Sequence, residues 1–199
     1  MRSAEPRQGL CTVILAAGGS RRLGQPKQLV KLKGEPLVLR ALRGAQEATP
    51  GRVVLVLGAH GLRIRALLRR RAHGPTVLVD NGRWREGMAS SLQRGLRALP
   101  ADCRAALLLL VDQPGVTGQS LERLIRGWLD SPGRLAAARY GDRLGVPAII
   151  PRRYWGALTG LAGDAGARSL LRRNAAAALG IPMPEAAWDV DEPGDLAGL

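Results

Sequence analysis

Phenylalanine is absent from the 199-residue chain, and the aromatic fraction is only 3%. The core must therefore be built mainly from aliphatic side chains, with Trp128, Tyr140, Trp155 and Trp188 read as packing, and the alternation of basic and aromatic residues that suits single-stranded nucleic acid is missing. Lysine is scarce too: Lys27, Lys31 and Lys33 are the only lysines among 30 basic residues, the remainder being arginine. With abundant Ala, Gly and Leu, this reads as the coding bias of a GC-rich genome, which the host's codon usage would test. The two cysteines, Cys11 and Cys103, give neither metal-ligand spacing nor a disulfide framework, so both are expected as buried thiols in a reducing cytoplasm. Long apolar runs are lacking. The longest, Ala105 to Val111, falls far short of the ~20 residues that span a bilayer, so no membrane partner is expected. Arg2 and Arg7 ahead of a short apolar stretch mimic a signal peptide. That stretch passes straight into a glycine-rich loop, which argues against a targeting role.

Acidic residues are few, 16 against 30 basic, giving a net charge of +14. Such a balance raises a polyanionic partner. The densest basic run, Arg69-Arg70-Arg71, ends a helical pattern, where cations complement the helix dipole, and no nucleic-acid partner is expected from it. His60 and His73 flank that helix outside every motif and read as surface residues.

With 46% hydrophobic and 23% charged residues, the composition is that of a folded globular domain. Apolar runs at Leu10 to Ala16, Val53 to Leu57, Thr76 to Val79, Ala105 to Val111 and Arg134 to Ala138 read as buried strands. Between them the apolar residues recur at helical spacing, as in Met88, Leu92, Leu96 and Leu99, or Leu121, Leu124, Ile125 and Trp128. Alternating strands and helices predict a three-layer α/β/α architecture around a mostly parallel sheet. After residue 139 the glycines and prolines change the pattern. Val146 to Ile150 is strand-like, a helix is expected over Arg168 to Leu179, and the segment reads as an excursion from the sheet within a single domain, 1–199.

Ligands of parallel sheets bind beyond the carboxyl ends of the strands. There the first strand opens into Leu15-Ala16-Ala17-Gly18-Gly19-Ser20-Arg21-Arg22-Leu23-Gly24-Gln25-Pro26-Lys27. Gln25-Pro26 stand where a P-loop needs Lys and Ser or Thr, and no G-x-G-x-x-G is present, which leaves a dinucleotide-dependent reductase without its fingerprint. What remains is a loop of small residues whose N–H groups can close on phosphate, with Arg22 and Lys27 as its cations. Asp112 ends the most hydrophobic strand, where a hard cation would find an oxygen ligand, and Asp189 and Asp191 point to the same side of an extended segment. Each of these aspartates also suits a turn or helix cap.

The loop pattern L-A-A-G-x-S-x-R-L-G-x-x-K resembles the signature of MobA-like nucleotidyltransferases, with the double alanine closest to the molybdenum cofactor cytidylyltransferase branch. Five further segments resemble that family in the same order: Asn81-x-x-Trp84-x-x-Gly87-Met88-x-x-Ser91-Leu92, Asp112-Gln113-Pro114, Gly145-x-Pro147, Gly163-Asp164-x-Gly166-Ala167-Arg168 and Asp189-Val190-Asp191-x-Pro193-x-Asp195-Leu196. Leu23, Val146, Glu192 and Gly194 depart from the usual Met, His, Thr and Glu.

The resemblance implies a Rossmann-like nucleotidyltransferase fold, with residues 10–139 as the nucleotide-binding sheet and 140–199 as the second-substrate side and closing metal motif. It implies transfer of CMP from CTP to molybdopterin with release of pyrophosphate. Arg22, Lys27 and Asp112 would be catalytic, and Mg²⁺ would sit on Asp112 and Asp191. Leu15, Ala16, Ala17, Gly18, Gly19, Ser20, Asn81, Gly87 and Ser91 would bind the nucleotide. Gly145, Pro147, Asp164 and Arg168 would face the second substrate, and a molybdenum hydroxylase would be the client protein. The alternatives are GTP or another phosphate acceptor in the same chemistry, or a non-catalytic molybdenum cofactor chaperone.

Overall fold

A computed structural model describes residue 7 and residues 9–49, 51–71 and 74–198. His73 lies outside these. Strands β1 (Leu10–Ala16), β4 (Val53–Leu57), β5 (Val77–Asp80) and β6 (Ala105–Leu110) run parallel, with β1 between β4 and β6. A two-residue pair, β2 (Lys31–Leu32) and β3 (Glu35–Pro36), forms a small separate hairpin. The sheet continues through β7 (Ala136–Tyr140), β8 (Arg143–Pro151) and β9 (Leu179–Pro182), and its order is β5-β4-β1-β6-β8-β7-β9. Only β8 runs against the others.

Strand residues alternate between two cores, which is what makes the structure three-layered. Leu10, Ile14 and Ala16 of β1 face one side with Leu55 and Leu107. There they meet α1 (Leu37–Ala48), α2 (Gly61–Arg70) and α4 (Gly118–Leu129) through Leu42, Ile64 and Trp128. Cys11 and Val13 face the other side with Val56 and Leu108, against α3 (Met88–Arg97), α5 (Trp155–Thr159) and α6 (Ala167–Arg173) through Leu92, Trp155 and Leu170. No helix among the described residues is long and apolar enough to cross a membrane.

Two sequence expectations are corrected. Residues after 139 do not leave the sheet: β8 inserts beside β6, covering an edge that would otherwise expose unpaired backbone groups. Its ladder with β7 skips Val146 and Pro147, the latter with no N–H to donate, and the register shifts opposite them between Ala137 and Ala138. The helix expected over Arg168 to Leu179 stops at Arg173. Ala177 and Ala178 donate back to the Asn174 carbonyl in a turn, and the chain enters β9, so pairing with β7 overrides the helix propensity of the alanines.

Candidate active site

The carboxyl end of β1 delivers the glycine-rich loop, and buried Gln28 fixes it from beneath. Its Nε2 donates to the carbonyls of Ala16 (3.1 Å) and Gly18 (2.9 Å). Lys27 N–H donates to Ser20 Oγ at 3.0 Å, closing the loop, and Ser20 itself sits at φ 52. His60, expected at the open surface, reaches the loop from α2 with a ring nitrogen 3.3 Å from the Gly19 carbonyl. It is partly buried there because it directly precedes α2, whose N-terminus packs beside the loop.

Asp112 follows β6, and its carbonyl accepts the Val190 N–H at 2.8 Å. Buried Leu23 of the glycine-rich loop packs in one small cluster with Val190, and Leu196 packs against it. Apolar contact thus draws the closing segment over the loop and brings together residues 164 positions apart in sequence: Lys27 Nζ donates to Asp191 Oδ1 at 2.9 Å. The same ammonium donates to Asp112 Oδ2, while Arg22 holds Asp191 Oδ2 at 2.8 Å. Asp195 accepts the N–H groups of Asp191 and Glu192, both at 2.8 Å, so Asp195 caps this turn and Asp191 is free to face Lys27.

Burial works against the Lys27 charge, but Asp112 and then Asp191 outweigh it and hold its ammonium above the ordinary lysine range. Burial likewise opposes the Asp191 carboxylate, and Lys27 followed by Arg22 more than compensates, lowering its pKa. Asp189 has no such partner: burial first, then the Asp112 and Asp191 charges, push it up to about 6.

Two clefts meet at this clamp, of about 350 and 370 Å³. Both are walled by Leu15, Lys27, Met88, Leu110, Asp112 and Asp164. The first is lined further by Ala17, Gly18, Gly19, Ser20, Gly87 and Ser91, which gathers most of the candidate nucleotide residues in one place. Ala16 and Asn81 stand behind it. Asn81 Nδ2 donates to Ser90 and Ser91, each at 2.9 Å, and its Oδ1 accepts the Arg83 N–H, so it ties the turn after β5 to the first turn of α3, which carries Ser91. The second cleft adds Arg22, Arg168, Asp189 and Asp191. Gly145 and Pro147 line neither cleft; Val146 between them lines the second and takes a hydrogen bond from Gln113 on its carbonyl. Gly166, not Asp164, is the N-cap of α6, and Asp164 is left to the clefts.

Residue-by-residue reading missed Gln28 and Arg85. Arg85 lines the first cleft with its guanidinium 4.6 Å from the centre of the Trp84 ring. Gln28 directly follows Lys27 in the loop, and its fixed position beside that cation was the available signal.

Among the described residues no group of three or more His, Cys, Asp or Glu side chains is placed to hold a metal. Asp112 and Asp191 are nonetheless a fitting pair for a hard cation, which takes one or two carboxylates together with substrate phosphates. Asp112 Oδ1 is buried with no hydrogen-bond partner, an oxygen suited to that use.

Comparison with known proteins identifies the family. A family model described as a MobA-like NTP transferase domain matches residues 12–178. The chain belongs to this family. The chain is 35% identical to nicotine blue oxidoreductase of Paenarthrobacter nicotinovorans over 170 residues, 81% of this chain and 80% of that one. Bifunctional GlmU of Xanthomonas campestris is 33% identical over 64% of this chain, which spans only 27% of GlmU. Among solved structures, Rv0371c of Mycobacterium tuberculosis H37Rv superposes with a TM-score of 0.78 at 29% identity, covering 95% of this chain and 96% of that one. The same protein is also known in complex with manganese, at 27% identity, covering 96% and 97%, with a TM-score of 0.78. The MobA-like chain described above is thus a nucleotidyltransferase with the α/β fold of that family.

Proposed function

We propose that this enzyme transfers CMP from CTP to the terminal phosphate of molybdopterin, forming the cytosine dinucleotide cofactor and pyrophosphate, in the cytoplasm and with Mg²⁺. The observation that carries the reading is the pair of clefts joined at Lys27 and Asp112, since a nucleotide in one and a phosphate-bearing acceptor in the other would meet where these charges converge. Residues 10–139 would hold the nucleotide and 140–199 the acceptor. The double alanine at Ala16-Ala17 favours CTP over GTP by resemblance.

The acceptor phosphate is already ionised, so no general base is required. An acceptor oxygen forms a bond to the α-phosphorus as the bond to the bridging β-phosphate oxygen breaks, and the electron pair leaves with pyrophosphate. The chain's contribution is positioning and charge. The Gly18-Gly19 backbone cradles the triphosphate, Lys27 and Arg22 take up the growing negative charge on the leaving group, and Ser91 faces the nucleoside. Asp112 and Asp191 would hold the divalent cation, which when bound polarises the α-phosphate as a Lewis acid. Asp164 and Arg168 would face the acceptor, and a molybdenum hydroxylase would receive the product.

Pyrophosphate release measured with each of the four nucleoside triphosphates, with and without molybdenum-loaded molybdopterin, tests this. Turnover that needs CTP, Mg²⁺ and molybdopterin together supports it; preference for GTP, or for another acceptor, replaces the substrates but keeps the chemistry. Asp112→Ala should abolish release, and retained turnover would sink the assignment of Asp112. The likeness to nicotine blue oxidoreductase favours a second reading, an oxidoreductase on the same scaffold. NADH or NADPH oxidation, with no pyrophosphate from any triphosphate, would establish it instead.

A further inference from the structure

The Lys27 ammonium occupies the position between Asp112 and Asp191 where the proposed reaction needs a divalent cation. Its contacts there are close, 2.9 Å to Asp191 Oδ1 and a hydrogen bond to Asp112 Oδ2, and are sheltered on the Asp112 side, with side-chain exposures of 16% for Lys27 and 13% for Asp112 against 35% for Asp191. Arg22 adds a second positive charge on the outer oxygen of Asp191, at 2.8 Å. Lys27 and Arg22 thus offset the charges of Asp112 and Asp191, the pair that would otherwise draw in a metal ion, with Asp189 and Glu192 beside them. Asp112 Oδ1 remains buried and unpartnered, so the carboxylate keeps one uncommitted oxygen while the ammonium holds the other.

Lys27 also lines the nucleotide cleft beside Gly18 and Ser20. A flexible four-carbon stem allows its charge to move a few ångströms from the carboxylates to phosphate oxygens placed in that cleft. We infer that Lys27 is a removable stand-in for the metal, so that free divalent cation is excluded and the enzyme takes up a metal–nucleoside triphosphate complex. The triphosphate gives Lys27 a new anion to hold, and the two carboxylates are released to the metal that arrives with it. Metal and nucleotide then tighten each other's binding, and the coupling is reciprocal. The device discriminates against free Mg²⁺ and against nucleotides too short to reach Lys27.

This rests on the reading of Asp112 and Asp191 as metal ligands, and the test separates the two. Binding of Mn²⁺ alone is followed by the loss of its free-ion electron paramagnetic resonance signal, in the wild type, Lys27→Met, Lys27→Gln and Arg168→Met. Arg168 lines the neighbouring cleft, so its variant removes an equal charge without vacating the clamp. Both Lys27 variants should bind Mn²⁺ at least about tenfold more tightly than wild type, and Arg168→Met should gain no more than about threefold. The α,β-methylene analogue of CTP should strengthen Mn²⁺ binding more in wild type than in either Lys27 variant. Lys27 variants that bind Mn²⁺ no better than wild type, or an Arg168 variant that gains as much, overturn the inference. Failure of the functional reading would show elsewhere, as a wild-type enzyme that releases pyrophosphate from no triphosphate.

Discussion

Single residues in this site divide into those that hold charge and those that hold the loop. Gln28 is of the second kind. Its buried amide satisfies two carbonyls of the turn that leaves β1, and Gln28→Leu would strand both, costing on the order of 2 kcal/mol. Chemical denaturation should show that loss; unchanged stability would mean that water or a shifted loop replaces the bonds. Asp189 yields a prediction with a definite sign. Its folded pKa of about 6 lies above the ordinary 3.8, so the native state binds the extra proton and loses stability as pH rises through that window. Asp189→Asn should therefore melt higher than wild type at pH 7 and by much less at pH 4, and a difference that does not grow with pH would refute this. Arg22, Lys27, Asp112 and Asp191 were legible in the sequence because they sit in motifs whose order along the chain is informative. The brace made by Asn81 was not, because it depends on hydroxyls nine and ten residues further on that only the turn at residues 82–87 folds back against it.

Elements bring these residues together through a few close approaches. The strands of the parallel half were readable because uninterrupted aliphatic runs have no other place to go than the centre of a sheet. β8 was half readable as Val146 to Ile150, whereas β9 carries a glycine and a proline and exists because β7 offers it an edge, which no local pattern reveals. Gly87, N-cap of α3, shows how two segments of the site are coupled. It adopts φ 103, and a β-carbon there would lie 2.3 Å from the Gly163 carbonyl, whose oxygen also accepts the Ala89 N–H at 3.0 Å. Helix α3 and the turn carrying Asp164 are therefore strapped together. Gly87→Ala should cost about 1–3 kcal/mol from the disallowed backbone angle alone. It should also push the turn outward, raising KM for the acceptor more than for the nucleotide. Equal changes in both, read from steady-state kinetics, would place the turn outside the acceptor site.

At the scale of the whole molecule the net charge of +14 asks whether general attraction or local contact recruits an anionic substrate. Many of the arginines are tied to carboxylates or backbone carbonyls, as Arg43 is to Glu35 and Arg152 to the turn at residues 100–103. The run Arg69, Arg70 and Arg71 is exposed instead. Helix α2 starts next to His60 on the glycine-rich loop and rises 1.5 Å per residue, which puts the arginine run about 15 Å away. That exceeds the Debye length of about 8 Å at physiological ionic strength and falls within the roughly 30 Å reached at 0.01 M salt. Replacing the three by glutamine should therefore leave KM for the triphosphate within about twofold at physiological salt and raise it several-fold at 0.01 M, where the long-range field still steers the substrate. Arg22→Gln should raise KM at both, since its contact is local. A several-fold effect of the triple variant at physiological salt would mean that the run touches the substrate directly, and the clefts at the sheet mouth would not be the whole binding site.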